Sequence, residues 1–156
     1  MRTIAIVFQN IQIYNSQVDF ALKDFIDPVK HRLLLIFLLP ETFFVMNDPW
    51  SMLFSRKLLN YQSDCKKDLI RKMYKHVEKQ IEEEVGFIDI CKIILHGNER
   101  KKLEAILKSL GVSLVLLSAE AHKNIFSKLF IVTIDDFLVD KARISVLRAP
   151  YIDNKS

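Results

Sequence analysis

Glycine is scarce in this sequence, with only three in 156 residues, at Gly86, Gly97 and Gly111. Gly86 and Gly111 each follow a predicted helix, at the position where a residue with positive φ commonly ends a helix. No glycine lies in the loop after Leu114–Leu117, where a nucleotide-binding α/β domain is expected to close its backbone around phosphate groups. The scarcity therefore excludes the usual glycine-rich phosphate-binding motifs.

The sequence also has few cysteines and only a small net charge. Cys65 and Cys91 are too few for a disulfide framework and show no Cys-x-x-Cys spacing, which fits a reducing cytosol. We expect Cys91, in a predicted strand, to be a buried thiol. The net charge of +4 falls short of a nucleic-acid-binding signature. The longest apolar run, 33–39, is too short to cross a bilayer, and the N-terminus has no signal-peptide pattern. We therefore expect a cytoplasmic protein without a membrane segment.

Short continuous apolar runs alternate with amphipathic segments along the chain. The runs predict strands that are buried on both faces, which is typical of a parallel sheet, at 4–8, 33–39, 88–95, 112–117 and 144–147. The amphipathic segments predict helices at 16–26, 64–85, 98–110 and 133–142, with Ser16 as an N-cap of the first. This alternation predicts an α/β fold with a doubly wound five-stranded parallel sheet. We expect one domain over 1–150 and a polar tail over 151–156.

A long segment, 40–63, separates the second strand from the second helix and is predicted as a loop. It is rich in large apolar side chains, and loops of this length are generally functional or mobile. Two interpretations are open. The segment packs on its own domain as a flap, or it offers a partner-binding surface built from Phe43, Phe44, Trp50 and Phe54.

The order and spacing of these segments resemble the universal stress protein family over about residues 2–150. The stretches similar to family segments are Arg2–Phe8, Leu34–Pro40, Ile94–Gly97 with Ile106 and Leu107, and Ser113–Ser118. The resemblance implies a Rossmann-like sheet with strand order 3-2-1-4-5. It also implies a homodimer that pairs the last strand through Ile144, Ser145, Val146 and Leu147.

ATP-binding members of that family carry Gly-x-x-Gly, then nine residues, then Gly-Ser or Gly-Thr. Counted onto this chain, the motif falls on Ser118, Ala121, Ile131 and Val132, with Thr133 one place further. The spacing is kept, but every glycine is lost. Side chains at the second and third glycine positions would crowd the phosphates, because residues other than glycine resist positive φ.

The family's acidic residue after the first strand, which contacts the nucleoside, falls on Gln9. The resemblance therefore implies a non-enzymatic regulatory or interaction protein that does not bind ATP in the standard way. The alternative is an adenine-nucleotide-binding stress sensor, in which Gln9, Leu38, Ser118 and Thr133 line a modified pocket.

Other candidate sites are weaker. A lysine-rich face of the helix over 64–85 suggests polyanion binding, but such charges are common on exposed helices, so nucleic acid is disfavoured as a partner. With strand order 3-2-1-4-5, His96 and His122 follow strands three spacings apart, roughly 14 Å, which is too far for one metal ion. The sequence contains no catalytic triad, Walker or Rossmann fingerprint, so we expect no enzymatic activity.

Overall fold

The computed structural model describes residues 1–9, 14–39, 49–96, 100–118 and 136–149, and for 14–16, 49–63 and 118 it describes the backbone alone. The elements in chain order are β1 (Arg2–Phe8), α1 (Tyr14–Asp24), β2 (His31–Leu39), α2 (Pro49–Val85), β3 (Ile90–His96), α3 (Arg100–Ser109), β4 (Val112–Ser118), a π-helical turn (Phe137–Lys141) and β5 (Val146–Ala149).

The five strands form one parallel sheet in the order β3-β2-β1-β4-β5. This confirms the predicted fold class and strand order. β1 and β2 are at the middle of the sheet, and both of their faces are covered. Ile6 and Val7 of β1 point to opposite faces of the sheet, and neither is exposed to solvent. This explains why the residues of β1 are continuously apolar and do not alternate between apolar and polar.

Helices cover the two faces of the sheet in pairs. On one face, apolar residues of α1 and α2 pack against the sheet through Val18, Leu22, Ile70, Val77 and Ile81. On the other face, α3 and the π-helical turn pack through Leu103, Leu107, Phe137 and Leu138. The sheet is therefore doubly wound, as predicted. Gly86 and Gly111 follow α2 and α3 with φ of +82° and +59°, as the sequence predicts for helix ends.

The prediction of a loop over 40–63 is wrong from residue 49 onward, because α2 begins at Pro49. The fixed φ of proline suits the first turn of a helix. Large apolar residues stand every four positions at Trp50, Phe54 and Leu58, which is a helical spacing. The many other apolar residues in the segment made this spacing hard to recognise. Phe43 and Phe44 lie outside the described residues, as do the side chains of Trp50 and Phe54.

The last strand is also shifted from its predicted position, from 144–147 to Val146–Ala149. Arg143 has a positive φ of 55°, and the Ile144 N–H donates to the Leu138 carbonyl at 2.9 Å. The chain is thus still tied to the π-helical turn at Ile144, so Ile144 and Ser145 precede β5. Thr133, the predicted start of the preceding helix, lies outside the described residues.

Two further predictions are wrong. Ser16 does not cap α1, because the helix already begins at Tyr14. Cys91 is exposed and not buried, because β3 is an edge strand and covered less than the central strands.

Tyr74 of α2 connects the two strands at this edge of the sheet. Its side chain is buried, and its hydroxyl donates to the carbonyl of Ile93 at 2.7 Å, with the carbonyl of Leu35 at 3.3 Å as a second acceptor. A hydroxyl carries one proton, so the shorter contact is the main bond. Burial raises the pKa of Tyr74 well above its ordinary value of 10.0, because the phenolate would be desolvated.

We predict that Tyr74→Phe lowers the free energy of unfolding by about 1 kcal/mol at pH 7, since it removes one buried hydrogen bond. Above pH 10 the unfolded wild type loses the Tyr74 proton while the folded state keeps it, so this residue costs about 1.4 kcal/mol of stability per pH unit. The gap between variant and wild type should therefore shrink and then reverse as the pH rises. Urea denaturation of both proteins from pH 7 to 11 measures it. A gap that stays constant contradicts the assignment.

Candidate functional site

The candidate functional site is the carboxyl edge of the sheet between β1 and β4. From β1 the chain crosses one face through α1 and α2 to β2 and β3, and it reaches β4 through α3 on the other face. The winding direction therefore changes between β1 and β4. Ligands of open α/β sheets bind in the crevice at such a point, at the carboxyl ends of the strands.

Three of the predicted pocket residues lie at this edge. Gln9 directly follows β1 and is half-buried, Leu38 is buried near the end of β2, and Ser118 is the last residue of β4. Because β2, β1 and β4 are neighbours, the first and last of these strands are roughly 10 Å apart. The other predicted positions, Ala121, Ile131, Val132 and Thr133, lie outside the described residues.

Gln17 of α1 reaches the same crevice, and the sequence analysis missed it. Its side chain is only 2% exposed, and its Nε2 donates to the carbonyl of Val7 at 2.9 Å and to that of Leu116 at 3.2 Å. One carbonyl belongs to β1 and the other to β4, so a single amide connects the two strands at the switch point. The sequence did indicate that Gln17 is buried, because it lies four residues before Ala21 and residues four apart share one face of a helix. Ala21 is buried.

This arrangement has a chemical consequence. A carboxamide nitrogen carries two protons, and Gln17 uses both on main-chain oxygens. The amide nitrogen therefore satisfies buried carbonyl groups and has no donor left for a ligand phosphate.

The start of α3 brings positive charge to the carboxyl edge. Its first three residues are Arg100, Lys101 and Lys102, and its first turn has no acidic residue. The positive end of a helix dipole normally favours acids at this position, so these three basic side chains and the dipole have the same sign. The Arg100 guanidinium carbon lies 6.0 Å from the centre of the Phe137 ring, within cation–π range. Phe137 shares an apolar cluster with Leu38, which places this pair on the α3 side of the sheet.

His96 and His122 are the two histidines predicted to follow strands at the carboxyl edge. His96 is the exposed last residue of β3, three strand positions from β4, and His122 lies outside the described residues. No group of three or more His, Cys, Asp or Glu side chains in the described part of the chain is placed to hold a metal ion. Among the described helices, none combines the length and the apolar character needed to cross a membrane.

Solved structures share this fold, although no family model and no curated protein sequence matches the chain. A universal stress family protein from Burkholderia pseudomallei is 16% identical with a TM-score of 0.59, and the match covers 96% of both chains. UspA from Lactobacillus plantarum is 15% identical with a TM-score of 0.60, covering 96% of this chain and 97% of that one. A universal stress protein in complex with cAMP is 9% identical with a TM-score of 0.55, covering 94% of each. The chain therefore has the fold of universal stress proteins.

We predict that Gln17→Met lowers the free energy of unfolding by about 1–3 kcal/mol, because it leaves the carbonyls of Val7 and Leu116 without this donor. Methionine has nearly the same length and helix propensity as glutamine, so the helix itself is little affected. Hydrogen exchange should also speed up at the carboxyl ends of β1 and β4.

The matched control is Ser113→Ala. Ser113 Oγ donates to the Thr3 carbonyl at 3.2 Å near the opposite end of the same strand pair, where the bond is only partly buried. We expect this variant to lose less than about 1 kcal/mol. Equal losses from both variants would show that Gln17 has no special role at the switch point.

Proposed function

We propose that this protein is a non-enzymatic, cytoplasmic regulatory protein of the universal stress type, which acts by binding other proteins and does not bind ATP in the family's standard way. The observation that supports this most is the composition of the switch point. Ser118 stands at the first glycine position at the end of β4, and the sequence from 119 to 135 contains no glycine. The described glycines, Gly86 and Gly111, end helices instead.

The rest of the edge agrees with this proposal. A phosphate cradle needs several main-chain N–H groups that converge, which positive φ at glycine makes possible. Here the carboxamide donors of Gln17 are already used by Val7 and Leu116, and Gln9 carries no charge for a ribose. Two exposed free cysteines, Cys65 and Cys91, fit a reducing compartment.

We predict that ATP binds with a Kd in the millimolar range or not at all. Isothermal titration calorimetry measures this directly. In a thermal-shift assay, a ligand present at 100 times its Kd adds about 2.7 kcal/mol of stability, so millimolar ATP should give no such shift. A micromolar Kd for ATP would overturn this part of the proposal.

A second candidate function is favoured by the matching structure that holds cAMP. A cyclic monophosphate carries one negative charge and needs fewer donors than a triphosphate chain. In this chain Gln9, Leu38, Ser118 and Thr133 would line the pocket, and the positive start of α3 would attract the phosphate. The protein would then sense an adenine nucleotide through a modified site.

The two candidates are separated by titrating cAMP beside ATP. If the sensor function holds, cAMP binds in the micromolar range and Arg100→Gln weakens it about tenfold, the cost of one charge-assisted contact. Lys108→Gln, at the other end of α3, is the control and should leave the Kd unchanged. Absence of cAMP binding leaves the interaction protein as the proposal.

We also propose that the protein forms a homodimer through β5. Within the described residues β5 pairs with β4 alone and forms one edge of the sheet. The Val115 N–H donates to the Ser145 carbonyl at 2.9 Å, so the carbonyl of the Ser145–Val146 peptide faces β4. In a trans peptide the N–H points the opposite way, so the Val146 N–H faces outward. An outward donor beside the half-buried Val146 and Leu147 suits pairing with a second copy.

We predict that Val146→Pro shifts the protein from dimer to monomer in light scattering, because proline removes the outward donor and leaves the contacts with β4 in place. Val146→Ala keeps the N–H and should remain dimeric. Circular dichroism checks that both variants stay folded. A wild type that is monomeric at high micromolar concentration refutes the dimer. It would direct attention to the segment with Phe43, Phe44, Trp50 and Phe54 as the interaction surface.

A further inference from the structure

The outer face of α2 combines two features that the sequence pattern alone assigns to different elements. Because α2 begins at Pro49, the apolar residues from Trp50 onward and the lysine-rich stretch after them belong to one continuous helix. Its first 27 residues, 49–75, contain seven basic and two acidic residues, whereas the whole chain has a net charge of +4. This part of α2 therefore carries more net positive charge than the chain as a whole.

The described side chains show which face of α2 is turned away from the sheet. Ile70, Tyr74 and Val77 are buried against the sheet. Lys72 and Lys75 stand two residues from these positions, on the opposite side of the helix, and both are exposed. Lys72 and Lys75 therefore define the outer face of α2.

The large apolar residues at the start of α2 occupy this same outer face of the backbone. Eighteen residues make five whole turns of an α-helix. Phe54 therefore shares the face of Lys72, and Lys57 shares that of Lys75. At steps of three or four residues along the same face, the other large apolar residues are Trp50, Leu58 and Tyr61. The outer face thus begins with an apolar, mostly aromatic stripe and continues with lysines.

A helix face of this composition suits the surface of an anionic membrane. Aromatic and leucine side chains enter the boundary between headgroups and acyl chains, and lysines are attracted to negatively charged headgroups. A second copy of this chain is disfavoured on the same face, because the lysines of the two copies would repel each other.

We propose that the outer face of α2 docks onto a membrane that contains anionic lipids, with the helix axis along the membrane surface. The apolar stripe enters the lipid boundary, and Lys72 and Lys75 contact the headgroups. The half of α2 that begins at Pro49 extends past the carboxyl edge of the sheet, so docking brings the candidate functional site close to the lipid.

The test uses vesicles of phosphatidylcholine with about 30% phosphatidylserine, and vesicles of phosphatidylcholine alone as the neutral comparison. Trp50 is the single tryptophan of the chain, so its fluorescence reports on the apolar stripe. With anionic vesicles its emission should shift to shorter wavelength and its quenching by acrylamide should fall, and neutral vesicles should change neither. Binding measured by cosedimentation should weaken at high salt, which screens the lysines.

The lysines are tested by the double variant Lys72→Gln with Lys75→Gln. It should weaken binding to anionic vesicles at least about tenfold, because each lysine near such a surface contributes on the order of fivefold. The matched control is Lys23→Gln with Lys141→Gln, which removes the same charge from exposed positions outside α2. This control should bind within about twofold of the wild type.

The stripe is tested by Phe54→Ser, which should weaken binding about fivefold or more, since it removes a large apolar side chain from the lipid boundary. Its control is Phe87→Ser, which replaces an exposed phenylalanine at the amino edge of the sheet and should have little effect. Circular dichroism verifies that all variants remain folded.

Four results would each overturn the proposal. They are absence of binding to anionic vesicles, equal binding to neutral vesicles, equal losses from the two lysine pairs, and a Trp50 that is already shielded from acrylamide in the free protein. Binding to duplex DNA without binding to vesicles would assign the outer face of α2 to nucleic acid, which also overturns it.

Discussion

The burial of β1 and β2 on both faces is the constraint on which the rest of the structure depends. A strand with no solvent-facing side must be apolar at every position, and its main-chain groups must pair within the sheet. Ile4–Phe8 and Leu33–Leu39 meet this condition, and all of their side chains are buried. Helices must then lie on both faces, which requires the chain to cross from one face to the other. The crossing creates the switch point between β1 and β4, and with it the candidate site.

Two polar side chains in this core contact main-chain groups of the sheet. Gln17 and Tyr74 come from the two helices of one face, and each has carbonyl oxygens of two different strands within hydrogen-bond distance. Gln17 acts at the β1–β4 junction, and Tyr74 acts at the β2–β3 junction. A buried donor that is fully paired stabilises a unique arrangement, whereas an unpaired one is costly. The two residues thus link neighbouring strands at two junctions of the sheet.

The sequence predicted what depends on a strong local pattern. Continuous apolar runs identified β1 and β2, and their order with the helices gave the fold class and, through the family resemblance, the strand order. The bounds and the burial of elements that depend on tertiary contacts were predicted less accurately. β5 begins two residues later than predicted, because Ile144 remains bonded to Leu138. Cys91 is exposed because β3 lies at an edge, a property that no local pattern records. At the candidate site, Gln9, Leu38 and Ser118 could be placed by counting, but the contacts of Gln17 across 99 residues could not.

The length of α2 has a mechanical consequence. The helix has 37 residues and extends for about 55 Å, whereas the longest strand, β2, has nine residues and spans about 30 Å. Among the residues of α2 whose side chains are described, from 64 onward, the buried ones run from Ile70 to Ile81 and pack on the sheet. Because α2 ends at the amino edge and is longer than the strands, the backbone of the half that begins at Pro49 extends past the carboxyl edge of the sheet. A force applied near Trp50 would therefore turn the whole helix against the sheet, beside the carboxyl ends of the strands.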